Sequence, residues 1–444
     1  MGEAIRINKS LAAAQGNYLS LLSIFSSSHH RFNDVCYATL MSRLGRLRRS
    51  DAAAARKDER YQAVLSALPA AVRKSGLQAM SNIAHALAKF GERGRRVDPI
   101  LDAIEARADW IVREGTTRDV SNTAWAFAAL GRDAPVLFSA IAARASWIVE
   151  ASEHPQDVTN TAWAFATLDR DAPVLFSAID ASADWLVREG KPQEVANTAW
   201  AFWKLRRSAP ALLAAINARS AWLVPRSSPE EVAVTALAFA DLGGDAPVFW
   251  SSLDERAGAF VASANSQAVC TTAFALVIAG RAGERSSLLR ALFERGVAEE
   301  GALSERGLFQ LLQVSLHADS AAEASGALLP SPALMRRMVE AARAKENGGK
   351  RNARGSFADR VAGLLTDLGF EYEREFAFIK NLPNFLAIDF ALSVNGEKTA
   401  VEVQGPQHFL RGLGGERSGA ETGRTVAKRR LLERRGWKVV SLPW

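Results

Sequence analysis

Two acidic residues near the C-terminus, Asp389 and Glu402, are the first candidates for chemistry in this sequence. They lie on either side of Asn395-Gly396, and an Asn-Gly pair between apolar residues is the strongest short-range signal for a β-hairpin. A two-residue turn there places Asp389 directly across from Glu402, on the face that also carries Gln404. Carboxylates about 5 Å apart repel each other unless a cation or a shared proton lies between them. The pattern therefore predicts a compensating group at this point of the sheet.

Two kinds of compensating group fit these residues. Mg²⁺ or Mn²⁺ held by Asp389 and Glu402 would make the site a metal-dependent nuclease, with Gln404 and Lys428 as further catalytic candidates. A cationic side chain, for which Lys428 is the candidate, would make it a site without a cofactor. Because Gln404 brings no negative charge, we expect weak metal binding, and we favour nucleic-acid binding over cleavage.

Positive charge is concentrated in a predicted helix at 421–435. Its basic residues outnumber the acids, and we expect them to contact nucleic-acid phosphates: Arg424, Lys428, Arg429, Arg430, Arg434 and Arg435. The alternative is an ordinary solvated face. His408, which follows the Gly405-Pro406 turn, is a further candidate with a structural role as its alternative.

These residues require an α/β domain over 357–444 to position them. The predicted order is a helix at 357–368, a strand at 371–378, the hairpin at Asn395-Gly396, a helix at 421–435 and a final strand, WKVVSLPW. Residues 343–356 are rich in Gly, Lys and Arg. That composition predicts a flexible basic linker, and we place the linker region as a whole at 331–356.

A repeat of about 37 to 40 residues occupies most of the remaining sequence. Its clearest copies are VSNTAWAFAAL (120–130), VTNTAWAFATL (158–168) and VANTAWAFWKL (195–205). Each copy predicts a first helix with apolar residues on opposite sides, which must be packed on both faces. Helix pairs of this kind stack into an α-solenoid, which we place at 31–330, with residues 1–30 unassigned.

Several repeated residues predict where the helices begin and end. Pro155, Pro192 and Pro229 suit the first position of the first helix, and Ser228 with Glu231 forms a capping box. The second helix opens at Asp-Ala-Pro or Ser-Ala-Pro, with an oxygen-bearing side chain near its N-cap. It ends after a recurrent tryptophan that we expect in the core: Trp110, Trp147, Trp185 and Trp222.

The repeated asparagines Asn82, Asn122, Asn160 and Asn197 admit two interpretations. They could pair with the edges of bases, or they could form a ladder of buried amides that satisfy backbone groups. We favour the ladder, because a residue that reads sequence should differ from repeat to repeat. The variable columns are then the better candidates for base contacts: Ala129, Thr167, Lys204 and Asp241 in one, and Ser121, Thr159, Ala196 and Ala233 in the other.

Composition limits the class of protein. The 444 residues are 48% hydrophobic and carry a net charge of +7, but the middle of the chain is acidic. Residues 331–444 contain 20 Lys and Arg against 13 acids. Two cysteines, Cys36 and Cys270, cannot form a disulfide framework, and no apolar run is long enough to span a membrane.

Two segments resemble known families. The repeats over 71–316 look like octotricopeptide repeats, which implies a grip on single-stranded RNA. VEVQGPQHF followed by GRTVAKRRLLERRGWKVVSLPW resembles the RAP domain of organellar RNA-binding proteins, whose fold is similar to that of restriction endonucleases. The match departs at Gln404, where that family usually has Asp. The resemblance implies a mitochondrial or plastid RNA-binding protein, with other RNA-processing proteins as partners; an endoribonuclease and a protein-interaction scaffold are the alternatives.

The Asp389–Glu402 pair makes the first testable prediction. We expect Asp389→Asn to leave the melting temperature unchanged or to raise it in the absence of metal, because the substitution removes one of two repelling charges. The nuclease alternative requires three different results. Mg²⁺ or Mn²⁺ would raise the melting temperature, the ion would support RNA cleavage, and both Asp389→Asn and Glu402→Gln would abolish that cleavage.

Overall fold

The computed structural model describes residues 2–14, 16–281, 287–317, 330–347, 357–379 and 387–444. The chain divides into two compact units, Met1–Gly190 and Lys191–Trp444. Among the described residues no helix is long and apolar enough to cross a membrane. Cys36 and Cys270 are both buried free thiols.

The first unit is built of helices. Their bounds are α1 Gly2–Ala13, α2 Tyr18–Ser28, α3 Asp34–Leu44, α4 Arg49–Lys57, α5 Glu59–Lys74, α6 Leu77–Phe90, α7 Asp98–Glu105, α8 Ala108–Glu114, α9 Thr117–Ala129, α10 Pro135–Ala143, α11 Ala145–Glu150, α12 Pro155–Thr167, α13 Pro173–Ala181 and α14 Ala183–Glu189. The first helices of successive repeats, α3, α6, α9 and α12, pack side by side in one layer. The second helices pack against each other in another layer, with α5 on α7, α8 on α10 and α11 on α13.

The second unit continues the repeats and ends in a domain with a sheet. Its helices are α15 Pro192–Lys204, α16 Pro210–Leu223, α17 Pro229–Leu242, α18 Pro247–Glu255, α19 Ala257–Ser263, α20 Ser266–Ile278, α21 Ser287–Ala298, α22 Glu305–His317, α23 Pro332–Asn347, α24 Phe357–Asp367 and α25 Gly423–Arg434. Its strands are β1 Tyr372–Phe376, β2 Ile388–Val394, β3 Glu397–Gln404, β4 Phe409–Arg411, β5 Arg417–Glu421 and β6 Lys438–Pro443. The helical repeats followed by a small α/β domain confirm the predicted fold class.

The predicted starts of the first helices are confirmed. Pro155, Pro192 and Pro229 open α12, α15 and α17. The Glu231 carboxylate accepts a hydrogen bond from the Ser228 backbone N–H at 2.8 Å, and the Ser228 hydroxyl accepts one from the Glu231 N–H at 3.3 Å. Proline fits there because the first backbone N–H of a helix has no partner within the helix.

The predicted capping of the second helices is wrong. The N-cap residues are alanines, none of which makes a side-chain cap: Ala134, Ala172, Ala209 and Ala246. The carboxylate of Asp133, one residue earlier, accepts a hydrogen bond from Arg170 Nε at 3.0 Å instead. Proline opens each of these helices, since its fixed φ suits the first turn, and at α18 the Asn217 side chain also accepts from the Val248 and Phe249 N–H groups.

The tryptophans near the ends of the second helices are not core residues. Trp110, Trp147, Trp185 and Trp222 are only half-buried. The Arg107 guanidinium lies 3.8 Å from the ring centroid of Trp110, and that of Arg144 lies 4.1 Å from the ring centroid of Trp147. The same arginines bond to the preceding repeat: Arg107 Nη1 donates to Ser75 O at 2.7 Å, and Arg144 Nη1 to Arg113 O at 3.0 Å. An arginine therefore links consecutive repeats, and the indole covers it.

The predicted linker at 331–356 is wrong over much of its length. Residues 332–347 form the helix α23, which packs against α22. The reason is an apolar stripe at helical spacing, Leu334, Met338 and Ala342, which is completely buried. Residues 348–356 lie outside the described residues.

The four-stranded sheet has the order β1-β2-β3-β6, with β6 parallel to β3. The hairpin register is confirmed: Phe390 pairs with Val401 and Val394 with Glu397. Asn395 and Gly396 both have positive φ, as a two-residue turn of this kind requires. Phe390 and Val401 pack against α24, whereas Ile388 joins Ala391 and Ala400 on the opposite face, against α25.

The α/β domain packs closely on the repeats of its own unit. Arg207 is completely buried, and its Nη1 donates to the carbonyls of Gly412 and Leu413 at 2.9 and 3.1 Å. Beside it, Arg411 N–H donates to Arg206 O at 2.7 Å, and Ser208 N–H to Arg411 O at 2.8 Å. These contacts hold the β4–β5 hairpin, which the sequence did not predict, against the turn after α15.

The helix α25 packs on the ends of three repeat helices. Arg430 Nη2 donates to Val277 O at 3.3 Å and also to Ile278 O, at the last turn of α20. Arg434 and Arg435 donate to His317 O at 3.2 Å and Leu316 O at 3.3 Å, at the last turn of α22. The carbonyls at a helix C-terminus lack partners within the helix, so cationic donors there satisfy them and also oppose the helix dipole.

Gly423 makes this packing possible. A Cβ at Gly423 would collide with the carbonyl oxygen of Ala240 in α17 and lie 2.7 Å from Ile278 Cγ2 in α20. The first turn of α25 thus approaches two repeat helices at a distance that excludes any side chain.

Gly423→Ala should therefore lower the free energy of unfolding by at least about 1–3 kcal/mol, the usual effect of overpacking. Gly363→Ala is the matched control, because Gly363 is exposed within α24 and a Cβ there meets nothing within 4 Å. The control should be neutral or more stable by up to about 1 kcal/mol. Urea denaturation followed by tryptophan fluorescence measures both, and equal midpoints for the two variants would contradict the close approach.

Candidate nucleic-acid interface

One face of the first helices in the first unit carries a row of amides and aromatic rings. The row consists of Asn82 and His85 on α6, Asn122 and Trp125 on α9, and Asn160 and Trp163 on α12. All six side chains are half-buried. The ring centroids of His85 and Trp125 lie 4.9 Å apart, and those of Trp125 and Trp163 lie 6.1 Å apart. We call these six residues the asparagine–aromatic row.

The predicted ladder of buried amides is therefore wrong. Within the described part of the chain, the side chains of Asn82, Asn122 and Asn160 make no hydrogen bonds. The interior ladder uses the residue before each asparagine: Ser81 Oγ donates to Asp119 Oδ1 at 2.9 Å, and Ser121 Oγ to Asp157 Oδ1 at 3.3 Å. Burial raises the pKa of Asp157, whereas the charge of Arg118 and hydrogen bonds from the Thr117 and Ser121 hydroxyls lower it.

The two variable columns of the repeat, which were the candidates for base contacts, differ in how far they are buried. Ser121, Thr159, Ala196 and Ala233 are all buried, so this column cannot reach a ligand. In the other column Ala129 and Thr167 are half-buried, Lys204 is exposed and Asp241 is buried. One position along a helix separates the buried serine from the half-exposed asparagine, because successive residues are rotated by about 100°.

His85 is the titratable member of the row. Desolvation lowers the pKa of His85 to about 4, and the charges of Lys89 and Arg46 act in the same direction. The imidazole is therefore neutral near pH 7, and it offers an uncharged ring beside Trp125.

A cavity of about 860 Å³ lies within the second unit, between the repeat helices and the α/β domain. Its apolar wall comes from Leu237, Phe274, Val277 and Phe309. Its polar wall brings together many of the predicted site residues: Lys204, Glu402, Gln404, His408, Arg424, Lys428 and Arg429. We call this the C-terminal cavity.

Glu402 has the cationic partner that the sequence required. Lys428 Nζ lies 2.6 Å from Glu402 Oε2 and 2.8 Å from Ala387 O. The second carboxylate, Asp389, accepts a hydrogen bond from Val403 N–H through Oδ2 at 2.7 Å. Burial raises the pKa of Glu402, and the Asp389 charge adds to that effect, whereas Lys428 lowers it. Glu402 Oε1 is buried and has no hydrogen-bond partner.

Gln404 and His408 are held by neighbouring side chains. Gln404 Nε2 donates to Glu421 Oε1 at 2.7 Å and to Ser441 Oγ at 3.1 Å, and Arg429 Nη1 lies 2.6 Å from Glu421 Oε2. His408 Nδ1 lies 3.2 Å from Thr425 Oγ1. Burial and the charge of Lys428 lower the pKa of His408, against the opposing charges of Asp389 and Glu421.

The donor set does not fit a divalent metal ion. Glu402 Oε2 is paired with an ammonium, and Asp389 Oδ2 accepts from the backbone. The Gln404 side chain presents its amide N–H groups to Glu421 and Ser441. Among the described residues no group of three or more His, Cys, Asp or Glu could hold a metal ion. Mg²⁺ takes oxygen donors, and one oxygen of each carboxylate, Glu402 Oε2 and Asp389 Oδ2, already has a partner in the protein.

The basic residues predicted on α25 fall into two groups, which lie in different surroundings. Arg424, Lys428 and Arg429 line the C-terminal cavity. Arg430, Arg434 and Arg435 bond to repeat carbonyls instead, so these guanidinium groups already satisfy protein acceptors. Arg424 is held by Asp241, with Nε 3.1 Å from Oδ2 and the backbone N–H 3.0 Å from Oδ1.

Several residues of the cavity were not predicted from the sequence. Arg306, Trp203 and Gln310 line it from repeat helices, and Glu421 supports its polar wall. Trp203 Nε1 donates to Asp241 Oδ2 at 2.9 Å. Trp203 and Lys204 occupy the positions that hold Ala128-Ala129 and Ala166-Thr167 in the other two clear repeats. That departure from the repeat is the one signal that could have identified this wall.

Comparison with known proteins gives separate matches for the helical repeats and for the C-terminal domain. Residues 55–227 match the family profile described as RNA-editing substrate-binding complex 6 protein, and residues 401–444 match that of the RAP domain. A RAP domain-containing, chloroplastic protein of Oryza sativa subsp. japonica is 34% identical over 87 residues. That alignment covers 20% of this chain and 12% of the rice protein, so the similarity is confined to a small part of the relative. The chain thus combines helical repeats with a C-terminal segment, residues 401–444, that matches the RAP domain.

Proposed function

We propose that this protein binds single-stranded RNA in organellar RNA metabolism, and that the asparagine–aromatic row is a principal contact surface. The observation that carries the proposal is the exposure of the row. Three asparagine amides without hydrogen bonds stand beside the rings of His85, Trp125 and Trp163. Amides pair with base edges and aromatic rings stack on base faces, both of which are accessible in single strands.

Two comparisons support the proposal. The matched segment 55–227 contains every residue of the row, and its family is named for binding an RNA-editing substrate. The C-terminal match is to a domain that also occurs in a protein described as chloroplastic. The proposal includes residence in a mitochondrion or a plastid and a role in RNA processing, stability or translation. It also includes partnership with other RNA-processing proteins.

Binding without metal-dependent cleavage is the form of the function that we favour. The nuclease alternative needs Asp389 and Glu402 to share an ion. In this structure Lys428 already compensates the charge of Glu402, and Asp389 bonds to the backbone.

A double substitution tests the row. Asn122→Ala with Asn160→Ala should weaken binding to single-stranded RNA roughly 10- to 30-fold, because each lost hydrogen bond contributes about 1 kcal/mol. The free energy of unfolding should change by less than about 0.5 kcal/mol per site, because neither side chain makes a hydrogen bond within the described residues. Fluorescence anisotropy with labelled RNA and a urea denaturation curve measure the two quantities.

Ser121→Ala is the matched control for this test. It lies next to Asn122 but donates to the buried Asp157, so it should lower stability by about 1–3 kcal/mol and leave RNA affinity unchanged below its melting temperature. A loss of stability in the double variant with unaltered RNA binding would restore the buried ladder and contradict the proposal.

Salt and strand preference provide a second measurement. Affinity for single-stranded RNA should fall as salt rises, since basic side chains displace counterions from phosphate. Binding to duplex DNA should be weaker at every salt concentration, because paired and stacked bases cannot reach the row. Equal affinity for both nucleic acids would indicate binding by charge alone.

A further inference from the structure

The C-terminal cavity contains a buried acceptor without a donor. Glu402 is 8% exposed and lines the cavity, and its Oε1 atom has no hydrogen-bond partner among the described residues, although Oε2 is paired with Lys428. A buried acceptor left without a donor costs about 1–3 kcal/mol, more when it is charged. A ligand that brings an N–H group to this atom would remove that cost.

The same cavity carries an excess of positive charge. Six basic side chains line it against three acids; the basic set is Lys204, Arg206, Arg306, Arg424, Lys428 and Arg429, and the acids are Asp241, Glu305 and Glu402. Two of the acids are already paired, Asp241 with Arg424 and Glu402 with Lys428.

Arg306 is the basic residue best placed for an anion. In the part of the chain that the structure describes, its guanidinium makes no hydrogen bond or ion pair. Desolvation lowers the pKa of Arg306, and the nearby charge of Arg424 lowers it further. An anion between the two guanidinium groups would relieve their repulsion, and guanidinium matches the geometry of phosphate.

Aromatic rings complete the set of groups. Trp203, Phe274 and Phe309 line the cavity, and the Arg424 guanidinium lies 5.2 Å from the ring centroid of Trp203. The cavity volume lies within the range of roughly 300–1,000 Å³ that is usual for small-molecule sites. A ligand suited to it has a flat ring, an N–H edge and an anionic group.

We propose that the C-terminal cavity holds one nucleotide of the bound RNA, with its phosphate at Arg306 and Arg424 and an N–H edge of its base at Glu402 Oε1. This inference rests on the proposed RNA-binding function. Guanine fits the acceptor best, because its N1–H and N2–H groups are adjacent donors, whereas uracil presents one ring N–H between two carbonyl oxygens. The site would therefore discriminate between bases at a single position of the RNA.

Calorimetric titration of the full chain with GMP, UMP and guanosine tests the site. GMP should bind at least tenfold more tightly than guanosine, through the phosphate, and more tightly than UMP, through the base. Arg306→Gln should remove the advantage of GMP over guanosine, and Glu402→Gln should remove its advantage over UMP. Arg290→Gln is the control, because Arg290 is an exposed arginine on α21 that does not line the cavity.

The variants also separate this inference from the proposed function. Asn122→Ala with Asn160→Ala should weaken RNA binding but leave GMP binding unchanged. Absence of GMP binding, together with unaltered RNA affinity in Arg306→Gln and Glu402→Gln, would overturn the cavity proposal and leave the proposed function intact. GMP binding without any RNA binding would overturn both, since the nucleotide would not belong to an RNA. Melting curves of the two cavity variants verify that each is folded.

Discussion

The structure depends on arginine side chains that satisfy the carbonyl groups at the C-terminal ends of helices. In the first unit Arg107 bonds to the carbonyls that follow α5, and Arg144 bonds to those that end α8. In the second unit Arg295 Nη1 donates to Val261 O at 2.6 Å, at the end of α19, and Arg430 does the same for α20. Short helices leave many such carbonyls unpaired, and a stack of short helices requires donors for them.

This constraint changes the meaning of the basic residues in α25. A helix with so many arginines resembles a phosphate-binding face when it is considered alone. Placed against the repeats, its far end supplies the donors that α20 and α22 lack. The remaining basic residues, Arg424, Lys428 and Arg429, turn toward the C-terminal cavity, where Asp241, Glu402 and Glu421 hold them. The contacts with the repeats and the lining of the C-terminal cavity thus use different residues of one helix.

The same division between interior and surface operates within each repeat. Ser121 and Asn122 are adjacent and both polar, and only their positions around α9 separate their roles. Ser121 faces the next helix, where the Asp157 carboxylate needs a donor. Asn122 lies beside Trp125 at the half-exposed edge of the layer, and its amide makes no hydrogen bond to any residue that the structure describes. A residue that recurs in each repeat is therefore not necessarily buried. At the surface it would present the same chemical group to a ligand from every repeat.

The sequence by itself determined what depends on local chemistry: the repeat period, the prolines that open helices, and the Asn395-Gly396 turn with its register. It also indicated that Asp389 and Glu402 need a compensating group, a cation or a shared proton, since opposed carboxylates repel each other. Only the tertiary structure decided which polar residues face inward, because a periodic helix pattern does not specify the neighbouring layer. It alone brought Arg306 and Glu402, nearly a hundred residues apart, to one cavity, since that depends on how the C-terminal domain packs on the repeats of its own unit.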